Sequence, residues 1–141
     1  MKIAITSGYF DPLHIGHIEL LARSKMNADK LIVIVNNDAQ ARIKKEKEFM
    51  NELDRCIIVQ SLKFVDEVKL SIDEDTSVCN TLRYLFSELK AKHPDATLVF
   101  TKGGDRTKGE IPEAKVCKEF NVYIQDGLGN KIRNSSDFTK W

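Results

Sequence analysis

The chain has 141 residues, of which 42% are hydrophobic and 30% charged, and these values are typical of one globular domain rather than of a disordered chain. A formal net charge of +1 excludes a globally basic nucleic-acid-binding protein. The three cysteines lie far apart and form no CxxC pair, so the sequence predicts neither a zinc knuckle nor a disulfide framework.

Strand-like and helix-like segments alternate from the first residues onward. Residues 2–7 (KIAITS) favour a strand, residues 15–26 (IGHIELLARSKM) an amphipathic helix, and residues 30–37 (KLIVIVNN) a buried parallel strand. Residues 51–62 predict a helix that Asn51 can cap, followed by a short strand over residues 64–70. The spacing of this helix places four apolar side chains on its inner face: Leu53, Ile57, Ile58 and Leu62.

The second half of the chain continues the alternation. Residues 77–92 predict a helix, residues 97–102 a strand, residues 111–120 a helix that begins near Pro112, and residues 122–126 a last strand. The helix over residues 77–92 should bury Leu82, Leu85, Phe86 and Leu89. A final short helix could start at residue 134 or 135.

This alternation predicts an α/β fold, with right-handed crossovers and helices on both faces of the sheet. We expect a Rossmann-like, three-layer α/β/α architecture around a mostly parallel five-stranded sheet. No internal repeat or linker is present, so residues 1–141 are predicted to form a single domain. No apolar stretch approaches the roughly 20 residues of a membrane span, and we expect a cytoplasmic protein without a signal peptide.

The segment SGYFDPLHIGH, residues 7–17, lies where the first strand gives way to the first helix. Gly8 allows a tight turn and a close approach to a ligand. The unpaired N–H groups and the positive dipole at the start of the helix favour phosphate. His14 and His17, on either side of Gly16, could donate hydrogen bonds to phosphate oxygens that gain charge during a reaction.

GYFDPLHIGH resembles the GxFDxxHxGH signature of the cytidylyltransferase-like nucleotidyltransferases, which include glycerol-3-phosphate cytidylyltransferases and heptose-phosphate adenylyltransferases. The resemblance implies that His14 and His17 are catalytic. It also implies nucleotide-binding roles for residues of the same segment, namely Ser7, Gly8, Tyr9, Phe10, Asp11 and Gly16.

Three later segments extend the resemblance over nearly the whole chain. The stretch NNDAQARIKKEKEFMNELDR implies a lysine-bearing loop that contacts the triphosphate, with Lys44 catalytic and Lys47 as a second candidate, and Arg55 as the residue that grips the acceptor's phosphate. FTKGGDR places Gly103, Gly104 and Asp105 beside the nucleotide, where Asp105 could bind a hydroxyl or help to hold a metal ion. NSSDFTK places Ser135 and Ser136 at the β- and γ-phosphates, and Lys140 where adenylyltransferases keep an arginine. Cytidylyltransferases also have an arginine just before this element. That arginine has no match here, and Lys131 or Arg133 could take its place.

The resemblance implies transfer of CMP or AMP from a nucleoside triphosphate to a sugar phosphate, a polyol phosphate or a phosphoalcohol, with release of pyrophosphate. An acceptor phosphate is already a nucleophile, so the reaction depends on positioning and charge neutralisation. Mg²⁺ is implied by the triphosphate, and a homodimer is possible; the expected partners are small molecules, with no nucleic acid and no membrane. The alternative is a non-catalytic nucleotide sensor or regulatory subunit with the same fold. A class I aminoacyl-tRNA synthetase, which shares a HIGH motif, is disfavoured, because the chain is short for such an enzyme and shows neither a KMSKS loop nor a basic RNA-binding surface.

Overall fold

The computed structural model describes residues 1–103 and 111–125, which form five parallel strands and five helices. The strands are β1 (Lys2–Gly8), β2 (Lys30–Val35), β3 (Glu67–Leu70), β4 (Thr97–Thr101) and β5 (Tyr123–Gln125). The helices are α1 (Ile15–Met26), α2 (Asp38–Lys45), α3 (Glu52–Gln60), α4 (Cys79–Lys92) and α5 (Glu113–Glu119). The predicted α/β class is confirmed, and α1 has the predicted bounds.

The sheet order is β3-β2-β1-β4-β5, with every neighbouring pair parallel. The chain builds outward from β1 to β3 on one side and then crosses to β4 and β5 on the other. The direction of winding therefore reverses between β1 and β4. In open parallel sheets such a reversal leaves a crevice at the carboxyl ends of the two strands, where ligands bind.

Two apolar clusters, one on each face of the sheet, make the three layers. Because successive strand residues point to opposite faces, Ile3 and Ile5 of β1 join one cluster while Ala4 joins the other. The first cluster contains buried residues of α4 and α5, and the second contains Leu21 of α1 and Val59 of α3. The four predicted inward residues of α4 are all buried: Leu82, Leu85, Phe86 and Leu89.

The inner face predicted for α3 is wrong in part: Leu62, just after the helix, packs against the second cluster and Ile58 is half-buried, but the other two predicted residues face outward. Leu53 and Ile57 are 66% and 65% exposed, whereas Arg55 and Val59 are fully buried. The helix is rotated because the guanidinium of Arg55 enters the protein and hydrogen-bonds three backbone carbonyls and a carboxylate. Apolar spacing alone did not reveal a buried arginine.

The predicted loop after β2 is also wrong, since residues 38–45 form α2. Asn37 caps this helix by accepting from Gln40 N, and the Gln40 side chain accepts from Asn37 N in return. The pattern Asn-x-x-Gln was therefore a readable start signal. Gln40 also donates to the carbonyls of Asp75 and Ser77, which ties α2 to the segment after β3.

Candidate active site

A cavity of about 600 Å³ lies at the carboxyl ends of β1, β2 and β4, where the sheet order predicts a crevice. A smaller one of about 210 Å³ shares Tyr9, His17 and Lys44 with it. The larger cavity is lined by Ser7, Gly8, Tyr9, His17, Asn36, Lys44, Thr76, Ser77, Val78, Lys102, Ile111, Pro112 and Glu113. The smaller one adds Phe10, Asp11, Pro12, His14 and Lys45.

The two imidazoles cap the first turn of α1. His14 is the N-cap residue, and its Nδ1 accepts a hydrogen bond from Gly16 N at 3.1 Å. In return, His17 Nδ1 accepts from His14 N at 3.1 Å. The rings stand 3.8 Å apart between centroids, tilted by 30°. This reciprocal pattern is a capping box in which histidines replace the usual hydroxyl and carboxylate side chains.

The cap fixes which nitrogen of each ring accepts a hydrogen bond and which is left to donate. A ring nitrogen that accepts a hydrogen bond carries no proton, so each neutral imidazole holds its proton on Nε2. Burial, together with the neighbouring charge of His14, lowers the pKa of His17 to about 4. His17 is therefore neutral near pH 7, with an Nε2–H group left to donate at the helix N-terminus.

The Phe10 ring packs against the His17 ring, and Gly8 leaves the space that the Phe10 ring occupies. The Phe10 ring meets the His17 ring edge-on, with centroids 5.0 Å apart, and is 1% exposed. A Cβ on Gly8 would lie 2.8 Å from the Phe10 ring, so the glycine is needed by this packing as well as at the cavity wall. Phe10, predicted to bind nucleotide, lines the smaller cavity; its ring is buried and packs against His17.

Lys44 extends from the last turn of α2, with its Nζ 4.6 Å from the centroid of the Tyr9 ring. It lines both cavities and so lies beside His17, as the prediction of a catalytic lysine requires. It is carried by a helix, not by the predicted loop. Lys47, the second candidate, is exposed on the segment after α2 and lines neither cavity.

Asp11 makes protein contacts in place of the predicted nucleotide contacts. Its carboxylate accepts from Phe49 N and Met50 N at 2.8 and 2.7 Å and pairs with Lys45 Nζ at 2.9 Å. Burial alone would raise the pKa of Asp11, but the hydrogen bonds from Lys45, Phe49 and Met50 bring it below its usual value. The Asp11 side chain is 1% exposed and holds neighbouring segments together.

Arg55 also departs from its predicted role. Its guanidinium donates to the carbonyls of Met50, Tyr9 and Asn36 and to Asp38 Oδ1, at 2.6 to 2.9 Å. Four of its five N–H groups are thereby used, and the side chain is fully buried. Arg55 consequently has no surface to offer to an acceptor phosphate, and we correct the prediction: it is a structural tie between α3 and the ends of β1 and β2.

The remaining predicted residues are of two kinds, those within the described ranges and those outside them. Ser7, Gly8 and Tyr9 line the large cavity, and Gly16 makes the cap around His14 possible. Gly103 directly follows Lys102 of the cavity wall and is half-buried. Residues outside the described ranges are Gly104, Asp105, Lys131, Arg133, Ser135, Ser136 and Lys140.

Sequence reasoning missed Glu113. Its side chain is 6% exposed, lines the large cavity, and accepts a hydrogen bond from Val78 N at 2.9 Å through Oε2. It thus joins the start of α5 to the start of α4. Asn36, Thr76 and Ser77 were also missed. Asn36 directly follows β2, which could have indicated it, whereas Thr76 and Ser77 lie in the segment between β3 and α4. No local pattern marked Glu113, because its exposed or buried state depends on how α5 packs on α4.

The Tyr9 hydroxyl is buried and has no hydrogen-bond partner among the described residues. Burial raises the pKa of Tyr9; Arg55 opposes this shift, while the charges of Asp75 and Glu113 add to it. The wall of the large cavity therefore contains an N–H donor and a lysine as well as hydroxyl groups and a carboxylate. Such a set can bind phosphate oxygens beside a hydroxyl-bearing molecule.

Comparison with known proteins agrees with this geometry. A family model described as cytidylyltransferase-like matches residues 5–132. The bifunctional protein HldE of Nitratiruptor sp. is 35% identical over 123 residues, which cover 86% of this chain and 24% of that protein. HldE of Yersinia enterocolitica is 39% identical over 112 residues, covering 78% of this chain and 21% of that protein. The chain therefore spans about a quarter or less of the length of these relatives.

A solved structure has the same fold over almost its whole length. The crystal structure of the lipopolysaccharide core biosynthesis protein from Thermoplasma volcanium superimposes with a TM-score of 0.67 and is 27% identical in sequence. The match covers 93% of this chain and 99% of that one. Within the described part of the chain, no helix combines the length and the apolar character needed to span a membrane.

Proposed function

The chain belongs to the cytidylyltransferase-like family of nucleotidyltransferases, and from this premise we propose that it transfers CMP or AMP from a nucleoside triphosphate to a phosphorylated small molecule, releasing pyrophosphate. One observation carries the proposal. Two imidazoles, each with an Nε2–H group left to donate, stand at the N-terminus of α1 beside the cation of Lys44. These groups match a triphosphate that gains charge as it reacts.

In the proposed reaction an oxygen of the acceptor phosphate attacks the α-phosphorus, and the bond from that phosphorus to the pyrophosphate oxygen breaks. Both the nucleophile and the leaving group are anions, so no general base is required. The Nε2–H groups of His14 and His17 donate to phosphate oxygens as charge spreads over them. Lys44 neutralises the departing pyrophosphate. Because His17 is uncharged, it contributes a directed hydrogen bond, and the positive charge comes from Lys44.

Mg²⁺ belongs to the proposal as a companion of the triphosphate. Among the described residues that line the large cavity, Glu113 is the only acidic one, and it is already bonded to Val78 N. The described residues also contain no group of three or more His, Cys, Asp or Glu side chains arranged to hold a metal ion. The donor set thus fits a cation that is held by the triphosphate's own oxygens and neutralises them.

For the acceptor we favour a sugar phosphate over a polyol phosphate or a phosphoalcohol. One similar protein supports this choice, since it is named for lipopolysaccharide core biosynthesis. The buried carboxylate of Glu113 and the hydroxyl of Ser77 lie in the same wall and can bind hydroxyl groups. A cytoplasmic location, a single domain over residues 1–141 and a homodimer complete the proposal.

The test combines binding and turnover. Thermal shift with ATP, CTP, GTP and UTP, each with Mg²⁺, identifies the donor; pyrophosphate release with a series of acceptor phosphates then measures activity. The informative variant is His17→Asn, because asparagine keeps a polar acceptor near the Nδ1 position and loses the Nε2–H donor. We expect its turnover to fall by about 10²-fold or more, the usual effect of removing one transition-state donor.

His93→Ala is the matched control, because His93 lies at the end of α4 and lines neither cavity. It should leave turnover unchanged. Normal turnover in His17→Asn would refute the mechanism. Nucleotide binding by the wild type without pyrophosphate release from any acceptor would favour the nucleotide-sensor alternative.

A further inference from the structure

Lys44 and the two histidines come from separate parts of the chain, so contacts between those parts must fix the position of the Lys44 ammonium relative to the imidazoles. The histidines lie at the start of α1, and Lys44 lies in the last turn of α2. A direct connection between the segment over residues 9–14 and the end of α2 would fix the distance from the Lys44 ammonium to the imidazoles. Asp11 and Lys45 provide that connection.

Lys45 is turned away from the large cavity and toward Asp11. Its Nζ donates to the Asp11 backbone carbonyl at 2.8 Å and lies 2.9 Å from Asp11 Oδ2. Successive residues on a helix are separated by about 100° around its axis, so anchoring Lys45 fixes the direction in which Lys44 leaves the same turn. The Lys44 side chain then extends over Tyr9, two residues before Asp11.

The Asp11 carboxylate also binds the segment that follows α2. It accepts from Phe49 N and Met50 N, so the chain is held to the same carboxylate both at the end of α2 and after it. The carboxylate is 1% exposed, whereas the Lys45 side chain is 40% exposed. A buried anion with three donors is a firm anchor, and the lysine can be replaced without opening the core.

From these contacts we infer that Lys45, through Asp11, is a positioning residue: it fixes the position of the Lys44 side chain relative to His14 and His17. The inference rests on the proposed function and adds a residue to it. Lys45 also lines the smaller cavity, but its Nζ is held by Asp11, so in this inference it acts on the reaction through Lys44.

The test is a double-mutant cycle in the pyrophosphate-release assay. Lys45→Met should lower kcat about tenfold, with a smaller change in the KM for the nucleoside triphosphate, since a displacement of well under 1 Å at a reacting group has effects of this order. Lys45→Arg, which can still reach the carboxylate, should recover most of the rate. In a Lys44→Met background, Lys45→Met should change kcat less than twofold. Lys90→Met, at an exposed lysine of α4 that lines neither cavity, is the control and should be neutral.

Full additivity of the two substitutions would overturn the inference, as would a greater loss from Lys45→Met than from Lys44→Met. Hydrogen exchange without substrate separates this inference from the proposed function. If Lys45→Met accelerates amide exchange over residues 38–50, the connection holds α2 even if the wild type releases no pyrophosphate, a result that would refute the proposed function alone. Unchanged exchange would overturn the connection.

Discussion

Replacing Gly16 by alanine should separate activity from stability. Alanine normally stabilises a helix by about 0.5–1 kcal/mol relative to glycine. At this position, however, the added Cβ would lie 3.0 Å from His14 Cε1 and 3.1 Å from His14 Nδ1. Carbon atoms prefer separations of about 3.5–4.0 Å, so the imidazole must move by a few tenths of an ångström.

That movement weakens the bond by which Nδ1 of His14 accepts from the backbone N–H of residue 16, and a lost N-cap costs about 1 kcal/mol. The helix-propensity gain and the cap loss nearly cancel, so the free energy of unfolding in urea should change by less than about 0.5 kcal/mol. By contrast, kcat/KM should fall about tenfold, because a displaced donor no longer meets the phosphate.

The measurements are urea unfolding and pyrophosphate release on the same preparations, with Ile15→Ala as the control. Ile15 is a neighbour in the same turn and is 40% exposed, and shortening it adds no atom near His14. A Gly16→Ala variant that gains about 1 kcal/mol and keeps full activity would refute the crowding argument, since the ring would then have room to stay in place.

Three further predictions concern stability. Arg55→Met should cost about 3–5 kcal/mol of unfolding free energy in urea, because it leaves the half-buried carboxylate of Asp38 and several carbonyls without their donor. Arg83→Met, at a side chain that is 42% exposed, should cost less than about 1 kcal/mol, and equal costs would contradict the structural role of Arg55. The folded pKa of His17, about 4, lies below the usual 6.5, so its contribution to stability is complete above pH 6.5 and is lost as the pH falls toward 4. Urea unfolding of His17→Asn should accordingly show a shallower pH dependence over that interval, and an identical slope would show that His17 is not buried as a neutral ring. Ile57→Lys should alter stability by less than about 0.5 kcal/mol, whereas Val59→Ala should cost about 1–3 kcal/mol, as thermal or urea unfolding will report; the reverse order would mean that α3 presents its other face to the core.

The amino-acid sequence by itself determined the layers and the place of the site. Residues 30–35 are recognisable as a strand because a buried parallel strand must be apolar on both faces. Helix α1 is recognisable because its apolar periodicity and its start at His14-x-x-His17 are patterns of neighbouring residues. The location of the histidines followed as well, since every crossover in a parallel sheet brings the carboxyl ends of the strands to one edge.

Tertiary structure alone decided what the charged residues do. Asp11 finds its partners 38 and 39 positions away, and Arg55 reaches a carbonyl 46 positions away. Such pairings depend on how the helices pack on the sheet and leave no local periodicity to read. A buried carboxylate or guanidinium must satisfy its hydrogen bonds inside the protein, and only the folded chain fixes which donors and acceptors are within reach. For the same reason Asp11 and Arg55 became structural anchors, while Glu113, which no local pattern marked, entered the cavity wall.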